Sequence, residues 1–208
     1  MGDETRDRLV AAATRLFAEQ GYGSTSIADI LKAARANSGS LYHFFPTKQD
    51  LLIEVLRRYR DGIRPMLLEP TWQGLSDPIE RVFALLGAYR AMLKRTGCLY
   101  NCPIGSLALE LHQPASSVRE ILAAYFEVWV DAIERCYVEA GDRLPADLDR
   151  KALSVFTLTV MEGGVMQSRT QRTLAAFDQS VAMLRDYVRR LEANAAEMYS
   201  KTNEKSAP

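Results

Sequence analysis

The sequence predicts an all-α fold, on the strength of three observations. Apolar residues recur every three or four positions along most of the chain, which is the period of a helix with one buried face. No convincing alternation with a period of two, bounded by hairpin turn residues, accompanies them. Side chains that can cap a helix precede several of the apolar stripes, and glycine or proline follows others. We therefore expect about nine helices.

The first helix carries Leu9, Ala13, Leu16 and Phe17 on one face, and Gly21 follows it where a left-handed cap favours glycine. Thr25 or Ser26 can then cap a second helix of about two turns. Its apolar stripe consists of Ile27, Ile30, Leu31 and Ala34. Both helices are amphipathic, so each should bury one face.

A short turn at Arg35 and Ala36 leads to a third helix, which Asn37 or Ser38 can cap. This helix should turn Leu41, Phe44 and Phe45 inward, and Pro46 stops it. Its other face carries small and hydrogen-bonding residues in place of an apolar stripe. The third helix is therefore not an ordinary core helix.

The fourth helix begins at Thr47, which with Asp50 three residues later resembles a capping box. Its apolar stripe consists of Leu51, Leu52, Val55, Leu56, Tyr59 and Ile63. Pro65, Pro70 and the following turn residues predict the next break. The fourth helix should thus lead from a small N-terminal module into a larger helical domain.

Asp77-Pro78-Ile79-Glu80 starts the next helix, with an acceptor cap, a proline in the first turn and a reciprocal glutamate. A short helix should then end near Leu111, and a long one should run from a Ser117–Glu120 cap to near Gly141. Two more are expected at about 148–168 and 174–198. We predict a small N-terminal domain at 1–50, a larger helical domain at 51–200, and a disordered tail at 201–208.

Composition limits the possible functions. Hydrophobic residues at 48% and charged residues at 25% are ordinary for a globular protein. The 26 basic residues equal the 26 acidic ones, so attraction to nucleic acid must come from a local face. The charged N-terminus has no uninterrupted apolar core of the kind a secretory signal needs, which predicts a cytoplasmic location.

The second and third helices fit a helix-turn-helix, in which the second helix enters the major groove of DNA. Ser38, Gly39 and Ser40 are small enough for close approach, and Tyr42 and His43 carry donors for bases or phosphates. Lys48 can pair with a phosphate at the start of the fourth helix. From residue 22 to residue 48, three basic residues outnumber the single acidic one, so this face is mildly basic.

The segment "AATRLFAEQGYGSTSIADILKAA", followed by "SGSLYHFFPTKQDLL", resembles the N-terminal DNA-binding domain of TetR-family transcriptional repressors. The matching positions are Phe17, Gly21, Thr25, Ile27, Ile30, Ala34, Gly39, Leu41, Tyr42, Phe45, Lys48 and Leu51. The resemblance covers about residues 5–55; beyond them only the architecture agrees. It implies a homodimeric repressor that binds a palindromic operator and is released by a small-molecule inducer. Residues 1–50 would then be the DNA-binding domain, and residues 51–200 the ligand-binding and dimerisation domain.

Two residues depart from the family pattern. Arg35 stands where the family usually has a turn glycine, and Ser38 stands where a basic residue often precedes the glycine of the recognition helix. Arg35 either replaces that lost cation or is a solvated surface arginine. The predicted DNA-binding residues are Thr25, Ser26, Arg35, Asn37, Ser38, Gly39, Ser40, Tyr42, His43 and Lys48.

The last two helices are expected to pair two protomers, because their apolar residues repeat with the spacing of bundle packing. The predicted dimerisation residues are Phe156, Val160, Gly164, Phe177, Val181, Leu184, Val188 and Leu191. The alternative is that both stripes belong to the core of one protomer.

Aromatic and methionine side chains in the middle of the chain suit a pocket for an apolar or aromatic inducer, although plain core would have the same composition. The predicted lining residues are Phe83, Tyr89, Met92, Tyr100, Cys102, Leu107, Phe126, Trp129, Val130, Met161 and Met166. No cofactor is predicted.

Cys98 and Cys102 permit a second hypothesis, because a thiol near the helix start at Pro103 can sense oxidants or electrophiles. The plain alternative is that they are buried residues at a loop-to-helix junction. A metal site that also uses His112 or Cys136 matches no common zinc spacing. His112 itself is expected to face solvent or to make a local hydrogen bond.

An enzyme is not predicted, because no nucleophile with a base, no paired carboxylates and no glycine-rich phosphate loop are evident. A helical scaffold without a DNA role is the other alternative. It gives no reason for the Ser-Gly-Ser-Leu-Tyr-His face of the third helix.

Overall fold

The computed structural model describes residues 2–205, with side chains as far as Ser200, and this part of the chain is helical without a β-strand. The helices are α1 (Gly2–Gln20), α2 (Ile27–Ala34), α3 (Ser38–Phe44), α4 (Lys48–Ile63), α5 (Glu69–Trp72), α6 (Pro78–Arg95), α7 (Pro103–Glu110), α8 (Ser116–Glu139), α9 (Arg150–Gln171) and α10 (Ala175–Lys205). The all-α prediction is confirmed.

The chain divides into two compact units. The first contains the residues up to Ile63 together with Cys102–Phe126, and the second contains Arg64–Asn101 together with the chain from Glu127 onward. The first unit therefore holds α7 and part of α8 in addition to the segment predicted as the DNA-binding domain.

In the first unit, α1 packs against α2, α3 and α4. Leu9, Ile30, Leu41 and Leu51 are completely buried, as expected from the apolar stripes of the four helices. The Arg8 guanidinium adds a polar tie, since its Nε donates to the carbonyl of Ala34 at 3.2 Å. Together these contacts fix the positions of α2 and α3 against α1.

A second set of polar contacts fixes α1 and α4 relative to the end of α3. The Arg6 guanidinium pairs with Glu54 at 2.8 Å and lies 5.5 Å from the centre of the Phe45 ring. Glu54 is mostly buried at 16% side-chain exposure, so this ion pair is better shielded from solvent than an ordinary surface pair.

In the second unit, α9 and α10 pack along each other and α6 packs against both. Asp178 on α10 accepts two hydrogen bonds from Arg90 on α6, at 2.7 and 2.9 Å. Arg185 pairs with Glu80 at 2.8 Å and lies 3.9 Å from the centre of the Phe83 ring. The α6–α10 contact thus combines a buried apolar face with two ion pairs.

Most predicted helix boundaries follow from local capping, and the structure confirms them. Gly21 has a φ of +88°, as the predicted left-handed cap requires. The Thr47 hydroxyl accepts from the Asp50 N–H at 3.1 Å, while Asp50 accepts from the Thr47 N–H at 2.9 Å. Asp77 caps α6 through the N–H groups of Ile79 and Glu80.

Four boundary predictions need correction. α8 begins at Ser116, so Ser117 lies inside the helix and does not cap it. The helix does not break at Pro65, because a π-helical turn at Arg64–Leu68 absorbs the missing N–H and leads directly into α5. Glu80 does not complete a capping box, since its carboxylate pairs with Arg185. α10 continues through residues 201–205 of the segment predicted to be a disordered tail, whose residues 206–208 lie outside the described part.

Candidate nucleic-acid interface

A complete capping box starts α2. The Ser26 hydroxyl accepts from the Asp29 N–H at 3.1 Å, and the Ser26 N–H donates to the Asp29 carboxylate at 3.0 Å. The Ser26 hydroxyl also donates to the Asp29 carboxylate, and this hydrogen bond and that of the Ser26 N–H lower the pKa of the Asp29 carboxyl. Ser26 is therefore the cap of α2, and it is exposed to solvent at the start of that helix.

Arg35 ends α2 in the left-handed conformation, with φ 50° and ψ 48°. Glycine adopts this conformation at the least cost, which explains the family preference for glycine at this position. The Arg35 side chain is exposed. The departure from the family pattern therefore adds a cation to the turn and some backbone strain.

One face of α3 is buried in the first unit, and the opposite face is exposed to solvent. Asn37 caps it by accepting from the Ser40 N–H at 2.8 Å, while Leu41 and Phe45 are buried. Its outer face consists of exposed Asn37, Ser38, Gly39, Tyr42 and His43, with half-buried Ser40 beside them. Tyr42 exposes 53% of its surface. Phe44, predicted to point inward, is only half-buried.

Thr25 does not belong to this exposed face. Its side chain is 1% exposed, and its hydroxyl donates to the Gly21 carbonyl at 2.6 Å and accepts from Gln20 at 3.2 Å. The prediction that Thr25 contacts DNA is therefore wrong for this arrangement. Thr25 holds the α1–α2 turn in place and can act on DNA only through that turn.

Lys48 makes internal contacts. Its ammonium donates to the Tyr22 carbonyl and lies 4.2 Å from the centre of the Tyr22 ring. Burial lowers the pKa of the Lys48 ammonium, an effect that the negative charge of Glu110 partly offsets. Sequence reasoning found Lys48 but missed Tyr22 and Glu110, because no periodicity marks a contact across 88 residues of chain.

The predicted dimerisation residues fall on two different faces. Phe177, Leu184 and Val188 are 1% exposed, and Gly164 is buried against the Phe177 ring. These four residues lie on the most regular stripe of each helix, and this stripe packs inside its own protomer. Val181, Leu191 and Val160 are half-buried, and only Phe156, at 48% exposure, is clearly on the surface.

Beside that buried stripe lies a groove of about 830 Å³ between α9 and α10. Its lining includes Phe156, Val160, Met183, Leu184 and Tyr187. Met183 is 68% exposed, and the Tyr187 and Phe156 rings meet edge to face with centres 6.3 Å apart. Sequence reasoning missed Met183 and Tyr187, which stand off the main stripe of α10.

The predicted ligand-pocket residues are divided between the two units. In the second unit Trp129 is completely buried and its indole N–H donates to the Tyr89 hydroxyl at 3.3 Å. The Tyr100 ring packs edge-on against Tyr89, with centres 6.2 Å apart. This unit also contains buried Phe83, Val130 and Met161 and half-buried Met92.

Three other predicted lining residues, Cys102, Leu107 and Phe126, belong to the first unit. Cys102 and Leu107 are buried there, and Phe126 is half-buried. Met166 is 55% exposed on α9, apart from the buried aromatic side chains of the second unit.

Cys98, Cys102 and Cys136 are buried, and none of them forms a disulfide bond within the described part of the chain. Cys102 caps α7 through a hydrogen bond from the Gly105 N–H to its Sγ at 3.4 Å. Burial raises the pKa of the Cys136 thiol to about 11. His112 is exposed, as expected. Among the described residues, no group of three or more His, Cys, Asp or Glu side chains is placed to hold a metal ion.

The fold and the exposed face of α3 define an all-α protein of the helix-turn-helix DNA-binding class. Residues 9–55 match the family of bacterial regulatory proteins named tetR, and residues 78–183 match the LmrA/YxaF-like transcriptional regulator C-terminal domain. The chain therefore belongs to the TetR family of transcriptional regulators. Members of this family bind operator DNA, dimerise and bind small-molecule ligands, and are typically not enzymes.

Relatives cover most of the chain. The uncharacterized HTH-type transcriptional regulator YxaF of Bacillus subtilis (strain 168) is 30% identical over 170 residues, which are 81% of this chain and 87% of the relative. The HTH-type transcriptional regulator LmrA of the same organism is 29% identical over 177 residues, 81% of this chain and 88% of that one.

The structural comparison agrees on the fold. The regulatory protein TetR from Rhodobacter sphaeroides has a TM-score of 0.77 at 24% identity, covering 86% of this chain and 96% of that chain. No helix within residues 2–205 is both long and apolar enough to cross a membrane.

Proposed function

We propose that the protein is a homodimeric transcriptional repressor that binds a palindromic operator through α3 and is released by a small-molecule inducer. The observation that carries the proposal is the outer face of α3, where Asn37, Ser38, Gly39, Tyr42 and His43 are exposed on a helix anchored by Leu41 and Phe45. Such a regulator acts in the cytoplasm, with the DNA.

The exposed face has the parts that DNA recognition needs. Small residues at its N-terminal end permit close approach to the groove, and Tyr42 and His43 follow within reach of base edges or phosphates. Ser26 and Arg35 lie at the two ends of α2, where each can contact a phosphate. A scaffold protein would have no use for such an exposed polar helix.

Tyr42→Ala should weaken DNA binding about tenfold, because it removes a large contact from the centre of the face without touching the core. Tyr199→Ala is the matched control, since Tyr199 is also about half exposed but lies on α10. Fluorescence anisotropy with a labelled duplex would measure both. Equal affinities for the two folded variants would contradict the assignment of α3 as the DNA reader.

Arg35→Gly should lower DNA affinity and reduce the slope of log affinity against log salt by about one, since we assign Arg35 a phosphate contact. Arg172→Gly is the control, because Arg172 ends α9 in the same left-handed conformation, with φ 56°. Both changes relieve backbone strain, so neither should lower stability by this route. An unchanged salt slope for Arg35→Gly would make Arg35 a solvated surface residue.

We assign the dimer contact to the groove between α9 and α10. The buried apolar stripe of these helices, which the sequence pattern predicts as the contact, packs within one protomer. Phe156, Val160, Met183 and Tyr187 form an apolar patch that a second copy can cover around a twofold axis. A dimer is needed because one recognition helix reads only a few base pairs.

We assign the inducer site to the aromatic cluster of the second unit, around Tyr89, Tyr100 and Trp129. Aromatic walls and the Tyr89 hydroxyl suit an apolar or aromatic molecule with one polar group. The thiol-sensing alternative is less favoured, because Cys98 and Cys102 are buried and reactive thiols need access to solvent.

A further inference from the structure

The turn between α1 and α2 binds a carboxylate. The N–H of Tyr22 donates to one oxygen of Glu110 at 2.9 Å, and the N–H of Gly23 donates to the other. Glycine flanks Tyr22 on both sides, where a Cβ would lie 2.9 Å from one Glu110 oxygen at Gly21 and 3.0 Å from the other at Gly23. The turn therefore presents two parallel donors to an anion and leaves it room to approach.

Lys48 brings a positive charge to the other side of the same turn. Its ammonium rests on the Tyr22 ring and donates to the Tyr22 carbonyl, while the Tyr22 N–H binds Glu110. Successive backbone N–H groups beside a lysine form the kind of concavity that holds phosphate oxygens. We call the N–H groups of Tyr22 and Gly23 the anion site; Lys48 lies beside it, on the carbonyl side of the Tyr22–Gly23 peptide.

Glu110 is in an unusual position for an acidic residue. It is the last residue of α7, where the helix dipole disfavours a negative charge. It is also exposed, so packing does not hold it there. The hydrogen bonds from the α1–α2 turn are the contacts that fix the carboxylate. α7 and the turn belong to the same compact unit.

We propose that Glu110 occupies a phosphate site of the DNA reader, so that its carboxylate and a DNA phosphate compete for the Tyr22 and Gly23 amides. This rests on the proposed DNA-binding function and adds a regulatory contact to it. While Glu110 is bound, α7 restrains the reader and its charge repels the DNA backbone. When Glu110 leaves, the two amides become available to one phosphate, and the nearby Lys48 charge favours its binding.

Glu110→Gln tests the competition, because it removes the charge and keeps the size of the side chain. Glu120→Gln is the matched control, an exposed glutamate of the same unit at the start of α8. We expect Glu110→Gln to bind a 25-base-pair duplex of arbitrary sequence about three- to tenfold more tightly than the control, with a salt slope larger by about one. In a Lys48→Ala background the gain should be smaller, because the charge that favours the phosphate is absent.

A second measurement examines the anion site without DNA. In Glu110→Ala, inorganic phosphate should shift the backbone amide resonances of Tyr22 and Gly23, whereas in the wild-type protein the same titration should leave them nearly unchanged.

The two measurements distinguish an error in the proposed DNA-binding function from an error in the competition or in the anion site. If neither the wild-type protein nor any variant binds a duplex while the phosphate shifts occur, the DNA-binding function is wrong and the anion site stands. If Glu110→Gln binds DNA no more tightly than Glu120→Gln, the competition is overturned. If phosphate shifts neither amide in Glu110→Ala, the anion site itself is wrong.

Discussion

Met183→Asp is expected to convert the dimer into a folded monomer with roughly a hundredfold lower operator affinity. Met183 is 68% exposed in the protomer and lines the α9–α10 groove, so the substitution costs little before association. In the dimer the carboxylate would be buried opposite apolar side chains. An uncompensated buried charge costs at least about 3 kcal/mol, which is a factor of about 150 in a dissociation constant.

Met66→Asp is the control for this prediction, because Met66 is 80% exposed and stands outside the groove. Sedimentation equilibrium would give the mass of each variant, and circular dichroism would verify that both are folded. A folded Met183→Asp protein that sediments as an unchanged dimer would place the interface elsewhere. A Met66→Asp protein that also dissociates would show that any exposed aspartate has this effect.

Gly164→Ala is expected to destabilise the protein by about 1–3 kcal/mol, because it overpacks the contact between α9 and α10. A Cβ at Gly164 would lie 2.9 Å from a ring carbon of Phe177 and 3.3 Å from the Phe177 Cα. The ring can turn, but the backbone of α10 must also move. Urea unfolding followed by circular dichroism measures this loss of stability.

Gly163→Ala is the matched control on the neighbouring residue of the same helix. A Cβ there meets nothing within 4 Å, and alanine favours a helix over glycine by about 0.5–1 kcal/mol. The two substitutions should therefore change stability in opposite directions. Equal unfolding midpoints for the two variants would mean that α9 and α10 do not approach each other at Gly164.

The helices that could be predicted from sequence were those with local signals. Ser26, Asn37, Thr47 and Asp77 cap their helices through side chains only two or three residues away from the N–H groups they bind. Sequence spacing reports such contacts directly. Pro65 misled the prediction because a π-helical turn can accommodate a proline that an α-helix cannot.

The contact surfaces were harder to predict, because the same amphipathic stripe can pack within one protomer or against a second one. Leu184 and Val188 lie on the regular stripe of α10 and fill its own protomer, whereas exposed Met183 and Tyr187 stand beside that stripe. The Glu110 contact joins residues that are 87 and 88 positions apart, and only the fold brings them together.

The central claim is that two copies of α3 read a twofold operator, and selection of binding sites from random duplexes tests it most directly. The purified protein would be incubated with a pool of randomised DNA, and bound duplexes would be sequenced after several rounds. We expect an inverted repeat whose half-sites are centred one helical turn apart, about 10 base pairs, or a multiple of it. A pool without any enriched sequence, or one enriched in a single unrepeated site, would contradict the claim.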